Sequence, residues 1–422
     1  MTPSTVRIEP ERLIARLTEL RGIGASAGGG VTREAFGADD VRARDLVSGW
    51  MTAAGLAATV DAAANLVGRR VGATDTWLVS GSHLDTVVEG GWLDGAYGVV
   101  AAVEVAAALA DASVELAHGL AIVAFANEEG ARGTRGMTGS RALLGQLDAG
   151  ELAGLDDGGT SLGQRIAAAG GDPDAVASAA WDLARVSGLV ELHIEQGPVL
   201  ASGGAVLGVV DAITGRQGVD VEIRGASNHA GTTPMALRHD ALAAAAEFVL
   251  AFEQLPAEVD SVRVATCGHL EVRPNVRNVV PGRVALSAEY RDEDTARLDA
   301  AMPVIQAIAD EIAARRSVVV SLRWGQRVEP THADPRIVDT IERVVAASGS
   351  EWMRLPSGAG HDAQILGHDV PMAMIFVPSI GGVSHSPTEN TDHTQLALGA
   401  QALLDTILAL DAAPVPDRGG AG

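Results

Sequence analysis

Lysine is missing from this chain of 422 residues: all 31 basic side chains are arginine, set against 54 acidic ones for a formal net charge of -23. That excess of acid argues against nucleic acid and against an anionic membrane as partners. Cysteine is almost missing too. Cys267 stands alone, so the chain has no internal disulfide and no thiolate metal cluster. No charge-free apolar stretch is long enough to cross a bilayer. The opening segment MTPSTVRIEPERLIARLTEL is charged and helical in period (Leu13, Ile14, Leu17, Leu20), with no signal-peptide core. A soluble cytoplasmic protein is expected. No H-E-x-x-H occurs, so a zincin is unsupported. GIGASAG does not follow a strand and is a poor dinucleotide fingerprint.

What is present is an apolar share of 47%, enough for a large core in two or three domains. Strand-like runs (TWLVSGSHLD, GLAIVAFANEE, GLVELHIEQG, VPMAMIFVPS) alternate with alanine-rich helical ones (GVVAAVEVAAALA, HTQLALGAQALLDTILAL). Strand and helix in alternation predict an α/β fold whose sheet is covered on both faces. The middle differs. VDVEIRGASNHAG and VRNVVPGRVALSAEYRD alternate apolar with polar residues, as one-sided antiparallel strands do, and two helical stretches lie among them. An α+β module is therefore expected at 211–327, inserted between catalytic segments 1–210 and 328–412. Residues 413–422 are expected to be disordered.

The segment GSHLDTVVEGGWLDG, residues 81 to 95, is unusual after an apolar run, because a buried carboxylate is costly unless it is paired or holds a metal. Other such residues also sit where apolar strands end: Glu128 and Glu129 after AIVAFAN, His193 in LVELH, His385 shortly after AMIFVPS. Ligands bind outside the carboxyl ends of strands in open α/β sheets, so all four segments point to one crevice. His83 and Asp85 share a face if the strand continues, which lets a carboxylate orient a metal-bound imidazole. Four carboxylates meeting there (Asp85, Asp94, Glu128, Glu129) need cations, and two divalent ions would supply them. Nitrogen and oxygen ligands without thiolate suit zinc, manganese, cobalt or nickel alike. Singly these signals are weak: an H-x-D is more often a structural pair, and a lone Glu-Glu is usually a solvated turn. Their common position after four buried-looking strands is what points to a site.

GSHLDTV, GGWLDGAYGV, NEEG, HIEQGPVL, NHAGTTPM, NVVPG, SGAGHDAQ and SHSPTE occur here in that order. In this the chain resembles the hydantoinase/carbamoylase amidases of the dinuclear-metal peptidase and deacylase superfamily, over about residues 8 to 410. The resemblance implies a mixed-sheet dinuclear-metal catalytic domain with an inserted lid and dimerisation domain, and hence a homodimer. It implies two divalent ions per subunit. His83, Asp94 and His193 would hold one, and Asp94 would bridge to a second completed by Glu129 and His385. Asp85 would orient His83, and Glu128 would be the general base. Gln196, His229, Asn278, Arg291 and the backbone at Gly360 would contact substrate. His361 is read as support for the pocket backbone or as plain packing.

The implied activity is hydrolysis of the carbamoyl amide of an N-carbamoyl-L-amino acid, or of a similar linear amide bearing a carboxylate, by a metal-bridged hydroxide. Allantoate amidohydrolase and β-ureidopropionase are the alternatives within the class. A metallopeptidase or N-deacylase lies outside it, and a metal-free binding protein further still; loss of a ligand would favour the last. Three positions depart from the family pattern. Gly133 stands where an aromatic is usual, Glu289-Tyr290-Arg291 replaces the usual D-x-R, and Arg216-Gln217-Gly218 follows I-T-G where a tryptophan is frequent.

Overall fold

The computed structural model describes residues 6–257 and 261–413. Apart from residue 413, the tail expected to be disordered lies outside them. The chain divides into two compact units: one runs to Ala212 and resumes at His332, and the other is Ile213–Thr331.

The larger unit is built on a mixed sheet, as the alternating pattern predicts. Its centre is four parallel strands in the order Gly119–Phe125, Trp77–His83, Val186–Ile194, Met372–Val377. Antiparallel strands flank them, with Leu66–Arg70 beside Gly119–Phe125 and Leu207–Ile213 beside Met372–Val377. Gly119–Phe125 and Met372–Val377 are buried at every position, which is why they read as continuous apolar runs rather than as alternation.

Alternate residues of these strands have different surroundings. Leu78, Ile122, Ala124, Val190, Leu192, Ile375 and Val377 join the apolar cluster that includes helices Ala96–Asp111 and His393–Asp411. His83, Glu191, His193 and Phe376 belong to the other set, facing away from that cluster, because strand side chains alternate with period two. Helix Ala96–Asp111 is buried from Ala96 to Leu109, and its small side chains allow strands and helices to pack around it. One charge in it, Glu104, accepts from Arg12, Arg16 and the Glu9 N–H, tying down helix Pro10–Arg21.

The smaller unit is a four-stranded antiparallel sheet in the order Val319–Trp324, Gly215–Arg224, Arg283–Asp292, Val264–Arg273. Burial alternates residue by residue along Gly215–Arg224 and Arg283–Asp292. The buried set (Val219, Val221, Ile223, Val284, Leu286, Tyr290) packs against helices Ala241–Glu253 and Thr295–Arg316. A separate two-stranded ribbon pairs Asn228–His229 with Val279–Val280. No helix among the described residues is long and apolar enough to cross a membrane.

Candidate metal centre

Two of the parallel strands present their histidines in the same way. His83 Nδ1 lies 2.9 Å from the carbonyl oxygen of Asp85, and His193 Nδ1 lies 2.9 Å from that of Ile194. A carbonyl only accepts, so Nδ1 carries the proton in each ring and Nε2 is the nitrogen left to bind a cation. Trp77–His83 ends on His83. The chain then leaves the sheet, and the Asp85 carboxylate, 3.8 Å from His83 Nδ1, turns elsewhere. It accepts the backbone N–H groups of Glu128 (3.2 Å) and Glu129 (3.1 Å). Asp85 therefore orients His83 through its carbonyl, while its carboxylate fixes the turn that carries both glutamates.

Asp94 stands between two groups of ligands. Its Oδ1 is 3.3 Å from His193 Nε2 and 3.7 Å from His83 Nε2, and its Oδ2 is 2.9 Å from His385 Nε2. Glu129 Oε1 is 3.5 Å from the same His385 nitrogen. Two triads result, His83–Asp94–His193 and Asp94–Glu129–His385, with ligand atoms within 4.8 Å of one another. Ligand atoms about 2.0–2.1 Å from one tetrahedral ion lie roughly 3.3 Å apart, so the spacing fits a divalent cation in each triad.

The electrostatics call for cations as well. Burial pushes Glu128 well above the usual carboxylate range, and neighbouring Asp362, Glu129, Asp85 and Asp94 push it further. Burial, then Asp94, raises Glu129 to about 8. Burial opposes a charged His193, but Asp94 and Glu191 outweigh it and raise that ring to about 9. A proton on imidazole is one answer to this concentration of negative charge; a divalent cation is the stronger one. The donor set therefore fits divalent cations.

Other expected residues are placed as follows. Gln196 Nε2 donates to Asp94 Oδ2 at 2.9 Å. His361, buried, has Nε2 2.8 Å from Ser357 Oγ, the hydroxyl that also bonds Ala359, so this imidazole supports the loop that holds Gly360. The remaining three lie in the smaller unit. His229 lies on the two-stranded ribbon and Asn278 in the turn just before its second strand; both are exposed, and the Ala230 N–H donates to the Asn278 carbonyl. His229 Nδ1 accepts the N–H groups of Gly231 (3.0 Å) and Thr232 (3.1 Å), so the neutral ring presents an Nε2–H donor to solvent. Arg291 is partly buried and its Nε donates to Glu289 at 2.8 Å. A cavity of about 490 Å³ elsewhere in this unit is lined by Asp220, Glu222, His269, Arg283 and Arg323, and includes none of the expected residues.

Gly133, the departure from an aromatic, has φ of +77° and abuts Asp157, where a β-carbon would stand 2.6 Å from Oδ1. Its positive φ favours glycine there. Gly24–Gly28 spells G-x-S-x-G, but Ser26 lies in a loop and donates to Glu89 rather than to an imidazole.

The model of peptidase family M20/M25/M40 matches residues 79–409, a span that holds all five residues of the two triads. The chain belongs to that family. It is 41% identical over 405 residues to an N-carbamoyl-L-amino acid amidohydrolase of Geobacillus stearothermophilus, covering 96% of this chain and 99% of that protein. It is 37% identical to an allantoate amidohydrolase of Bacillus subtilis, covering 92% and 94%. A crystal structure of a hydantoinase/carbamoylase family amidase from Burkholderia multivorans superposes with a TM-score of 0.91 at 32% identity, covering 98% of this chain and 100% of that one. The family member described here thus matches the hydantoinase/carbamoylase amidases over nearly its whole length.

Proposed function

We propose that this chain is a dinuclear-metal amidohydrolase that removes the carbamoyl group from an N-carbamoyl-L-amino acid. The observation that carries the reading is Asp94, whose two oxygens face two separate ligand triads beside the buried Glu128. Divalent cations bound there supply Lewis acidity, polarising the amide carbonyl and making a water acidic enough to be deprotonated near neutral pH. His83 and His193 each contribute Nε2 and have Nδ1 fixed by a carbonyl. Glu128 is the general base: it accepts the water's proton and passes it to the leaving nitrogen. Asp85 holds Glu128 in place through its backbone N–H.

The substrate is a small molecule with a carboxylate. Arg291 and Asn278 would bind that carboxylate, the His229 Nε2–H would stabilise the developing oxyanion, and Gln196 and the Gly360 backbone would complete the contacts. The smaller unit joins two copies into a homodimer. Supporting this is strand Val264–Arg273, which pairs on one side only among the described residues and exposes Val264 and Leu270. The products are the amino acid, ammonia and carbon dioxide. Allantoate is the second substrate to consider, on the strength of the Bacillus subtilis relative.

Zinc, manganese, cobalt or nickel, two per chain, should restore activity to chelator-stripped protein. Turnover is measured against N-carbamoyl-L-amino acids, allantoate, β-ureidopropionate and N-acyl amino acids. Full activity of rigorously metal-free protein, or no turnover of any of these with two cations bound, overturns the reading.

A further inference from the structure

Glu389, only 1% exposed, belongs to neither ligand triad. Its Oε1 accepts the backbone N–H groups of Leu93 (2.9 Å) and Asp94 (3.1 Å). Its Oε2 accepts the Ser384 hydroxyl at 2.8 Å, and its main-chain carbonyl accepts the Trp92 indole N–H at 3.1 Å. The Ser384 hydroxyl also lies 3.2 Å from Asp94 Oδ2. One carboxylate thus gathers donors from two loops, one carrying Asp94 and the other carrying His385. Gly91 makes room for it, since a β-carbon there would stand 2.0 Å from Oε1. His385, next to Ser384, has φ of +53°, a left-handed conformation that a residue other than glycine keeps only where its surroundings hold it.

We propose that Glu389 is a positioning residue that clips the Asp94 loop to the His385 loop and thereby sets the spacing of two ligands of one cation. The inference rests on the dinuclear reading above and extends it to a residue outside the ligand set. A carboxylate suits the task because it accepts from several directions at once and donates nothing. Its two oxygens hold three donors, the Leu93 and Asp94 N–H groups and the Ser384 hydroxyl, so the joint is fixed from two loops at once. Trp92 serves the same joint: its indole fastens the loop to the main chain of Glu389.

The test titrates metal-depleted protein with cobalt(II) against a competing chelator, following stoichiometry, affinity and the visible spectrum of the bound ion. Wild type should take two ions. Glu389→Ala should weaken the ion held by Asp94, Glu129 and His385 by about 10- to 100-fold, the usual cost of losing support behind a ligand. Its cobalt spectrum should shift, which a general loss of stability would not cause. Glu389→Gln should restore most of the affinity, because its amide oxygen can accept both backbone N–H groups and its amide nitrogen can donate to Ser384. Ser384→Ala removes one arm of the clip and leaves the backbone bonds intact, so it answers the question if Glu389→Ala does not fold; it too should weaken that ion. Wild-type affinity and spectrum in both Glu389→Ala and Ser384→Ala overturn the clip. So does a Glu389→Gln as damaged as Glu389→Ala, since charge rather than geometry would then be the cause. A wild-type chain that fails to bind two ions overturns the dinuclear reading itself, and the clip falls with it.

Discussion

Gly95 lies against the His83 imidazole, so closely that a β-carbon added to it would stand 2.5 Å from three of the ring atoms. The glycine has φ of +61° and begins the buried helix Ala96–Asp111. Its N–H also points at His193 Nε2, 3.1 Å away. Gly95→Ala should therefore act twice, displacing His83 and straining a left-handed backbone by about 1 kcal/mol or more. Metal content and thermal unfolding measure the two effects. Two tightly bound ions at the wild-type melting temperature would show that the ring has room to move.

Glu128→Gln should keep both ions and the fold while losing the general base, about 10²- to 10⁴-fold in rate. His385→Ala should instead lose metal, because it removes a ligand. Measuring bound metal beside kcat separates the two. If activity follows occupancy alone in both variants, Glu128 is not the base.

Arg291 should grip the substrate carboxylate with two parallel hydrogen bonds that an ammonium group cannot reproduce. Arg291→Lys is expected to harm carboxylate substrates far more than their amide analogues, seen as a larger fall in kcat/KM. Equal damage to both would assign Arg291 to structure, through its bond to Glu289.

If the proposed homodimer forms, His229 should act across its interface. Each of His229→Ala and Glu128→Gln should be strongly impaired alone. A mixed dimer that shares residues across a two-fold interface has one crevice with both wild-type residues and one with neither. Subunit exchange should then recover at most about half the activity per mixed dimer. No recovery despite verified exchange would place His229 in its own chain's crevice, and a fully active monomer would exclude sharing altogether.

Much of both units was legible because its causes are local. GLAIVAF and MAMIFV are continuous apolar runs, as strands buried on both faces must be, and the alternation in VDVEIR marks a sheet covered on one side. His83, Glu128, Glu129, His193 and His385 could be singled out because charged or imidazole groups placed at or just beyond the ends of buried strands call for a reason. Glu191 carried a similar signal, a charge two residues before His193 and so on the same face, yet within an apolar run it reads as an interruption. The structure shows it accepting from Ser82 and from the Ala363 N–H.

The sequence by itself determined the ligand types, their order and the strands that carry them, because these follow from period, burial and the chemistry of each side chain. Only tertiary structure decided which atoms meet. Strand Trp77–His83 lies between Gly119–Phe125 and Val186–Ile194, a pairing across long chain separations that no local propensity encodes. Where a strand stops decided the role of Asp85: with the sheet ending at His83, its carbonyl reaches the ring and its carboxylate reaches the Glu128–Glu129 turn. Packing decided Glu389 as well. A carboxylate five residues beyond Ser384 reads as a loop residue until the fold closes it against Gly91 and brings the Leu93 and Asp94 N–H groups within reach.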